Sequence, residues 1–375
     1  MDQAMKKIFH IVSNKEWGGG EQYVYDLCQR QRADGIDVCI FCKPIESIRR
    51  KYEESGIQVR TLPLGGALDI KSAWHMAAII RKAGPCTIHA HNFKDAFTAC
   101  YARKLSSNKA VRVVMCRHLT RKGKNTFLYR WLYCQLDCLV FDSELSKREF
   151  LSTSPSILPD KLTIVHTSIV VPKGITVAPV KKEFNIADDT VVAMFHGRLD
   201  AEKGIDVLLD AVQLISDKNF RLVLIGRGSD EYTAHLQQVV VEKGITEKVI
   251  FAGFRHPVLP YVAAADFGIL ASTVQEGCPL SPQEYMSQGH PVVVTDNGGQ
   301  REYVVEGRNG LLVPPGNAAA LAQAMAQMID DATLRQQMGQ QAKADYDEHL
   351  NYEHFYSLIR NIYVPMSNRQ ENTTA

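Results

Sequence analysis

The chain reads as an α/β protein with two Rossmann-like, doubly wound domains facing across a cleft. Three observations predict this. Short runs rich in Val, Ile and Phe alternate with amphipathic stretches of helical period, the pattern of a parallel sheet covered on both faces. That rhythm breaks once, in SIVVPKGITVAPVKKEFNIADD (168–189), and then restarts. A length of 375 residues is ample for two cores.

In the first half, KKIFHIV (6–12), VCIFC (38–42), VRTLPL (59–64), CTIHAH (86–91), VRVVMC (111–116) and CLVFDS (138–143) are strand-like. Helices lie between them. In EQYVYDLCQRQRADG, Val24, Leu27, Cys28 and Gln31 recur at helical spacing, and Gly35 ends the run. KSAWHMAAIIRKAG repeats the pattern. The break carries Pro172, Pro179 and a lysine pair, so 171–189 is expected to link residues 1–170 to a second domain at 190–351. There TVVAMFHG (190–197), FRLVLIG (220–226), KVIFAG (248–253), FGILAS (267–272), HPVVVTD (290–296) and GLLVP (310–314) resume the alternation. Residues 316–364 are helical in pattern, with Ala318, Leu321, Ala324 and Met325 on one stripe. The polar tail 366–375 is expected to be unstructured.

Composition removes several function classes. Lys and Arg number 43 against 41 Asp and Glu, a net charge of +2, so no global field favours nucleic acid. No apolar run approaches the ~18 residues of a membrane-spanning helix. The N-terminus lacks the long apolar core and cleavage site of a signal peptide. Nine cysteines, mostly within apolar runs, fit a reduced, cytoplasmic compartment. Cys39 and Cys42 form a C-x2-C without a matching second pair, which leaves zinc open beside the ordinary reading of buried strand thiols.

In open α/β sheets ligands bind beyond the carboxyl ends of the strands, so the segments after strands carry the chemistry. In GRLDAEKG (197–204), Arg198 and Lys203 flank a loop that opens a helix, an arrangement suited to a diphosphate. The same cations are also placed to pair with Asp200 and Glu202. Within LIGRGSD (224–230), Gly226 and Gly228 permit close backbone approach. EGCPLSPQE (276–284) predicts a helix start with Ser281 as N-cap, Pro282 next and Glu284 closing a capping box. Glu276 then lies in the loop before it, and free N–H groups near Leu280 and Ser281 form an anion site. Whether Glu284 caps its helix or binds a ligand stays open. Gly18, Gly19 and Gly20 are expected to form a backbone loop ahead of a helix in the first domain. His89 and His91 share one strand face, but no third ligand stands at a telling spacing, so no metal is assigned. His118, beside Arg117, is the better cleft candidate. Residues 117–136 hold Arg117, Arg121, Lys122, Lys124 and Arg130 without an acid, followed by Phe127, Tyr129, Trp131 and Tyr133. This stretch suits an anionic membrane surface, an acidic acceptor, or a core helix with a basic loop.

Taken in order, GRLDAEKG, LIGRGS, VIFAGF, the E-x7-E of EGCPLSPQE, YMSQGHPVVVTDNGGQREYV and NGLLVPPGN resemble glycosyltransferase family 4, retaining enzymes of the GT-B fold. GGGEQ and HAHN resemble the acceptor-domain signatures of the same family. The resemblance implies a retaining hexosyl transfer from a UDP- or GDP-sugar to a glycan or lipid-linked glycan, in cell-surface polysaccharide assembly, by a cytoplasmic or membrane-peripheral enzyme. It implies that Arg198 and Lys203 neutralise the leaving diphosphate in place of a metal. Glu284 would bind the ribose and Glu276 the donor sugar. Pro279, Leu280 and Ser281, with Gly226, would hold sugar and phosphate; Gly19 and Gly20 would approach the diphosphate; His118 would sit beside the reacting carbon. The helix 352–364 would pack back on the first domain. Two departures stand out: Thr167-Ser168 replaces the family's Asn-Gly after the strand entering the linker, and Cys278 replaces a larger apolar residue. A sugar-nucleotide epimerase and a non-catalytic sugar-nucleotide-binding protein are the alternatives on this fold.

Overall fold

The computed structural model describes residues 6–364. The polar tail and the first residues of the N-terminus lie outside them. Two units divide the chain, one from the residues up to His166 together with those from Glu353 on, the other from Thr167–Tyr352.

The first unit holds β1 (Lys7–Val12), β2 (Asp37–Cys42), β3 (Gln58–Thr61), β4 (Cys86–Ala90), β5 (Val111–Arg117), β6 (Cys138–Phe141) and β7 (Leu162–Ile164) in one sheet of order β3-β2-β1-β4-β5-β6-β7. The second holds β8 (Val191–His196), β9 (Phe220–Ile225), β10 (Val249–Gly253), β11 (Phe267–Leu270), β12 (Val292–Thr295) and β13 (Gly310–Val313) in the order β10-β9-β8-β11-β12-β13. All pairings are parallel. Both sheets reverse their winding at one point, between β1 and β4 and between β8 and β11. A doubly wound sheet opens its ligand crevice at such a point.

Alternation along each strand explains why both faces are dry. On β8, Ala193 and Phe195 pack with Leu222 and Leu224 on one face, while Val192 and Met194 pack with Val223 and Ile225 on the other. In the first unit Phe9, Ile11, Phe41, Ile88, Val113 and Met115 line one face. His10 and His89, opposite each other in register, point to the other. Cys39 and Cys42, three positions apart on one strand, leave opposite faces of β2 and cannot share an ion. All nine cysteines are free, and Cys134 alone is exposed.

β7 is short and only half buried, which is why the apolar pattern did not mark it. The segment 171–189, expected as a linker, is built into the second unit. Val180 and Ile186 are buried in its core with Val171, Ala178 and Phe184 against them, and Val180–Glu183 is a helical turn. The helix Tyr352–Tyr363 contributes to the first unit: Phe355 packs on Tyr23, Tyr363 Oη lies 2.8 Å from His89 Nδ1, and Arg30 pairs with Glu353.

Candidate active site

The second unit builds its site at the β8/β11 switch point. β8 ends at His196, and the turn Ala201–Lys203 follows, capped by Asp200. Gly204 (φ +66°) closes it because a Cβ there would lie 2.0 Å from the Ala271 carbonyl oxygen. That contact holds the turn against the end of β11. Lys203 Nζ consequently meets Glu276 Oε1 at 2.5 Å, and Ser272 Oγ donates to the same oxygen at 2.5 Å. Both side chains of the ion pair are about four-fifths buried. Arg198 reaches Asp200 at 3.1 Å but leaves its side chain 73% exposed. The surface pairing considered from sequence thus holds for Arg198, and Lys203 pairs with Glu276 in place of Glu202.

The helix expected to start with Ser281 as cap runs Leu280–Ser287 with Pro279 as N-cap and no side-chain cap. Glu284 is therefore the fifth helical residue and does not close a capping box. Its carboxylate accepts from His196 Nε2. His196 Nδ1 is 2.8 Å from Tyr285 Oη, which lies 3.0 Å from the Met194 carbonyl. Tyr285 donates its one hydroxyl proton to the Met194 carbonyl and His196 Nε2 donates to Glu284, so the imidazole, held against Tyr285, orients the carboxylate away from capping the helix. Gly268 makes room for the Tyr285 ring, which a Cβ would strike at 2.0 Å. Leu280 and Ser281 present the first-turn N–H groups that no helical carbonyl reaches, since Pro282 carries none. Tyr303 Oη donates to the Pro279 carbonyl at 2.6 Å and fixes the turn before them. Gln283 Nε2 donates to Thr167 O at 2.9 Å, so the unusual Thr167-Ser168 segment is tied to this helix.

A cavity of about 320 Å³ opens beside Arg198, lined by His196, Gly197, Gly226, Arg227, Phe254 and Arg255 among others. Arg227 stacks over Phe254 at 4.9 Å. Gly226 (φ +153°) is glycine for an internal reason: a Cβ would lie 1.8 Å from the Gly197 carbonyl oxygen. The close backbone approach expected at this glycine is made to the neighbouring loop, and Gly226 also lines the cavity. His196, Arg227, Phe254 and Arg255 escaped the sequence reading. The runs FHG and VIFAGFRHP each carry the carboxyl end of a strand into the loop after it, and that position was the available signal.

In the first unit, the glycine triplet is not a loop ahead of a helix. Gly18 is the N-cap and the helix is Gly19–Ala33. Glu21 caps it, accepting from the Gly18 N–H at 3.0 Å and from Asn14. Nothing lies within 4 Å of a Cβ placed on Gly19, so packing within the chain does not require a glycine there. Gly20 lines a cavity of about 270 Å³ with Asn14, Glu21, Asn92, Asp95 and His118. Burial raises the Asp95 carboxyl to about 7. The imidazole of His118 is held down at about 4 by burial, packs edge-on to Tyr23 at 4.7 Å, and keeps Nε2 without a hydrogen-bond partner among the described residues.

Sequence spacing showed no third ligand for His89 and His91; the fold supplies one. His10, His89 and His91 bring ring nitrogens within 4.8 Å of one another. They are engaged as a network: His10 to Gln31 at 2.9 Å and to His91 at 3.1 Å, His89 to Cys116 at 3.0 Å. The aromatics of 127–136 mostly face their own core. Trp131 stacks on Tyr101 at 4.9 Å and Tyr129 meets Phe97 edge-on at 5.4 Å, leaving Phe127 (88% exposed) outward. Among the described residues no helix is long and apolar enough to cross a membrane.

Two family profiles match the chain: Glycosyltransferase Family 4 over residues 17–171, and Glycosyl transferases group 1 over residues 190–331. Among relatives, the N-acetyl-alpha-D-glucosaminyl L-malate synthase of Bacillus anthracis is 22% identical over 313 residues, 81% of each chain. The lipopolysaccharide core biosynthesis glycosyltransferase LpsE of Rhizobium meliloti is 30% identical over 169 residues, 44% of this chain and about half (48%) of the relative. Among solved structures, a glycosyltransferase of Rickettsia africae superposes with a TM-score of 0.83 at 16% identity, over 95% of this chain and 97% of that one. Anabaena HepE in complex with UDP gives 0.81 at 19% identity, over 95% and 98%. Two doubly wound sheets, a cation-and-carboxylate site at the second switch point and these matches define a glycosyltransferase. The chain belongs to glycosyltransferase family 4.

Proposed function

We propose that this glycosyltransferase transfers a hexose from a UDP-sugar, with retention of configuration, to a glycan or lipid-linked glycan in cell-surface polysaccharide assembly. One observation carries the reading: after β8 and β11 stand a Lys203–Glu276 pair, a Glu284 carboxylate held by His196, and Arg198, the last lining with His196 an arginine- and aromatic-walled cavity. That cavity has the aromatic face and cations a uracil and its phosphates call for. HepE, of the same fold, has been crystallised with UDP and with UDP-glucose, which favours uridine among the bases.

In this reading Arg198 and Lys203 stabilise the diphosphate as negative charge grows on it during departure, taking the place of a metal ion. The N–H groups of Leu280 and Ser281 bind the phosphate at the helix start, and Pro279 and Gly226 shape the walls. Glu284, oriented by His196, accepts from the ribose hydroxyls. Glu276 accepts from the donor sugar through Oε2 while its Oε1 holds Lys203 in place. The first unit takes the acceptor, with Gly19, Gly20 and His118 as its candidate residues. A thermal-shift series against UDP, GDP, ADP and UDP-glucose tests it. UDP at about 100 times its Kd should stabilise the protein by about 2.7 kcal/mol, and Arg198→Ala and Glu284→Ala should each lose that shift. A parent protein indifferent to every nucleotide at saturation would defeat the assignment.

A further inference from the structure

We propose that the cavity under the Arg117–Lys124 segment of the first unit is a phosphate subsite that seats an anionic group on the acceptor. The proposal deepens the glycosyltransferase reading and rests on it for the word acceptor.

This cavity, about 220 Å³, is lined by Arg117, Arg121, Lys122 and Lys124, and by no Asp or Glu. Arg117 carries the argument. It is 6% exposed, stacked over Phe150 at 4.9 Å and Phe93 at 5.3 Å. Its Nε donates to the Leu119 carbonyl at 3.0 Å and its Nη2 to the Arg121 carbonyl. Nη1 is buried without a hydrogen-bond partner among the described residues. Asp142, the acid that Arg117 feels electrostatically, accepts from Ser146 Oγ at 2.5 Å. A buried guanidinium with an unsatisfied N–H is unfavourable unless something outside the chain satisfies it. Three further cations around the same space specify an anion, and a phosphate supplies enough oxygens to meet several of them at once.

The neighbouring 270 Å³ cavity shares His91, Asn92 and His118 with this one but is lined instead by Asn14, Glu21 and Asp95. Amides and carboxylates suit hydroxyl groups. Polyol-type and phosphate-type surroundings therefore lie side by side, joined at His118. An acceptor with hydroxyls next to a phosphate matches both. The phosphate can belong to a soluble sugar phosphate or to a lipid-linked diphosphate, the latter using the apolar wall of Phe93, Met115 and Leu119.

Calorimetry on the full chain, with UDP present at about 100 times its Kd to fill the donor site, separates these. The probes are glucose 1-phosphate, farnesyl diphosphate and uncharged glucose. We expect a phosphate probe to bind, glucose not to, and binding to weaken as salt rises. Affinity should fall about tenfold or more in the surface variant Arg121→Ala/Lys122→Ala/Lys124→Ala and in the charge-conserving Arg117→Lys, with the UDP thermal shift of both retained as proof of folding. Binding of glucose 1-phosphate supports a subsite that a soluble phosphate fills; binding of farnesyl diphosphate alone supports a lipid-linked one. If neither phosphate probe binds the UDP-loaded parent, or if both variants bind as tightly as the parent, the subsite is disproved. A parent that binds phosphate probes but not UDP keeps the subsite and sinks the donor reading.

Discussion

Arg198 and Gly226 illustrate how differently two residues of one site constrain the protein. Arg198 is 73% exposed and pairs with Asp200 at the surface, so removing it should leave stability within about 0.5 kcal/mol. In the proposed reading its charge meets the leaving diphosphate, and Arg198→Ala should lower kcat by about 10²–10³-fold, measured by product formation at saturating donor. Gly226→Ala should act on folding. Its φ of +153° and the 1.8 Å approach to the Gly197 carbonyl leave no space for a Cβ. A melting temperature lowered by at least 5 °C is expected, and an unchanged melt would refute the steric argument. Gly19→Ala is the counter-case: open space surrounds it, so the variant should melt with the parent.

The strand pair β1–β4 concentrates imidazoles that resist protonation. Burial lowers His10 to about 4 and holds His89 and His91 well below their ordinary range. Each is neutral when folded but takes up a proton near pH 6.5 when unfolded. Stability from these groups is thus fully present above pH 6.5 and is lost as pH falls toward 4. For His10 alone the loss reaches about 3 kcal/mol, roughly 1.4 per pKa unit. Asp95, raised to about 7, works in the opposite sense and offsets one of them. A melting temperature that falls steadily from pH 7 to 4.5, with a shallower slope in His10→Gln, is the expected result; a flat profile would contradict the buried network. Elements of this kind were only half legible in sequence. Period and turn chemistry marked twelve strands, whereas β7 is too short and too exposed to leave a pattern. The capping box in SPQE was misplaced because a local motif competes with tertiary contacts, and His196 captured the Glu284 carboxylate that the motif assigned to the backbone.

At the scale of the molecule, the first unit depends on the last described helix. Phe355, Tyr356, Ile359, Ile362 and Tyr363 are buried there, and Tyr363 Oη is bonded to both His89 and Gln31. Five such side chains at about 1.5–3 kcal/mol each amount to most of a domain's stability of about 5–15 kcal/mol. Deleting the chain from Glu353 onward should therefore unfold the first unit and leave the second one folded. Limited proteolysis should then degrade residues up to His166 while a fragment near Thr167–Tyr352 survives; equal survival of both halves would count against this dependence.

Sequence by itself determined the alternation of strands and helices, the restart near residue 190, and the ordered motifs that place the chain in its family. These are local or serial properties, carried by periods of two and 3.6 residues and by loop chemistry at strand ends. Only the tertiary structure decided the partners. Lys203 finds Glu276 73 residues away, Glu284 finds His196 at a separation of 88, and His10 finds His91 at 81. Parallel strands that are neighbours in a doubly wound sheet are distant in the chain, so which side chains meet at a switch point follows from strand order, and no local pattern encodes it.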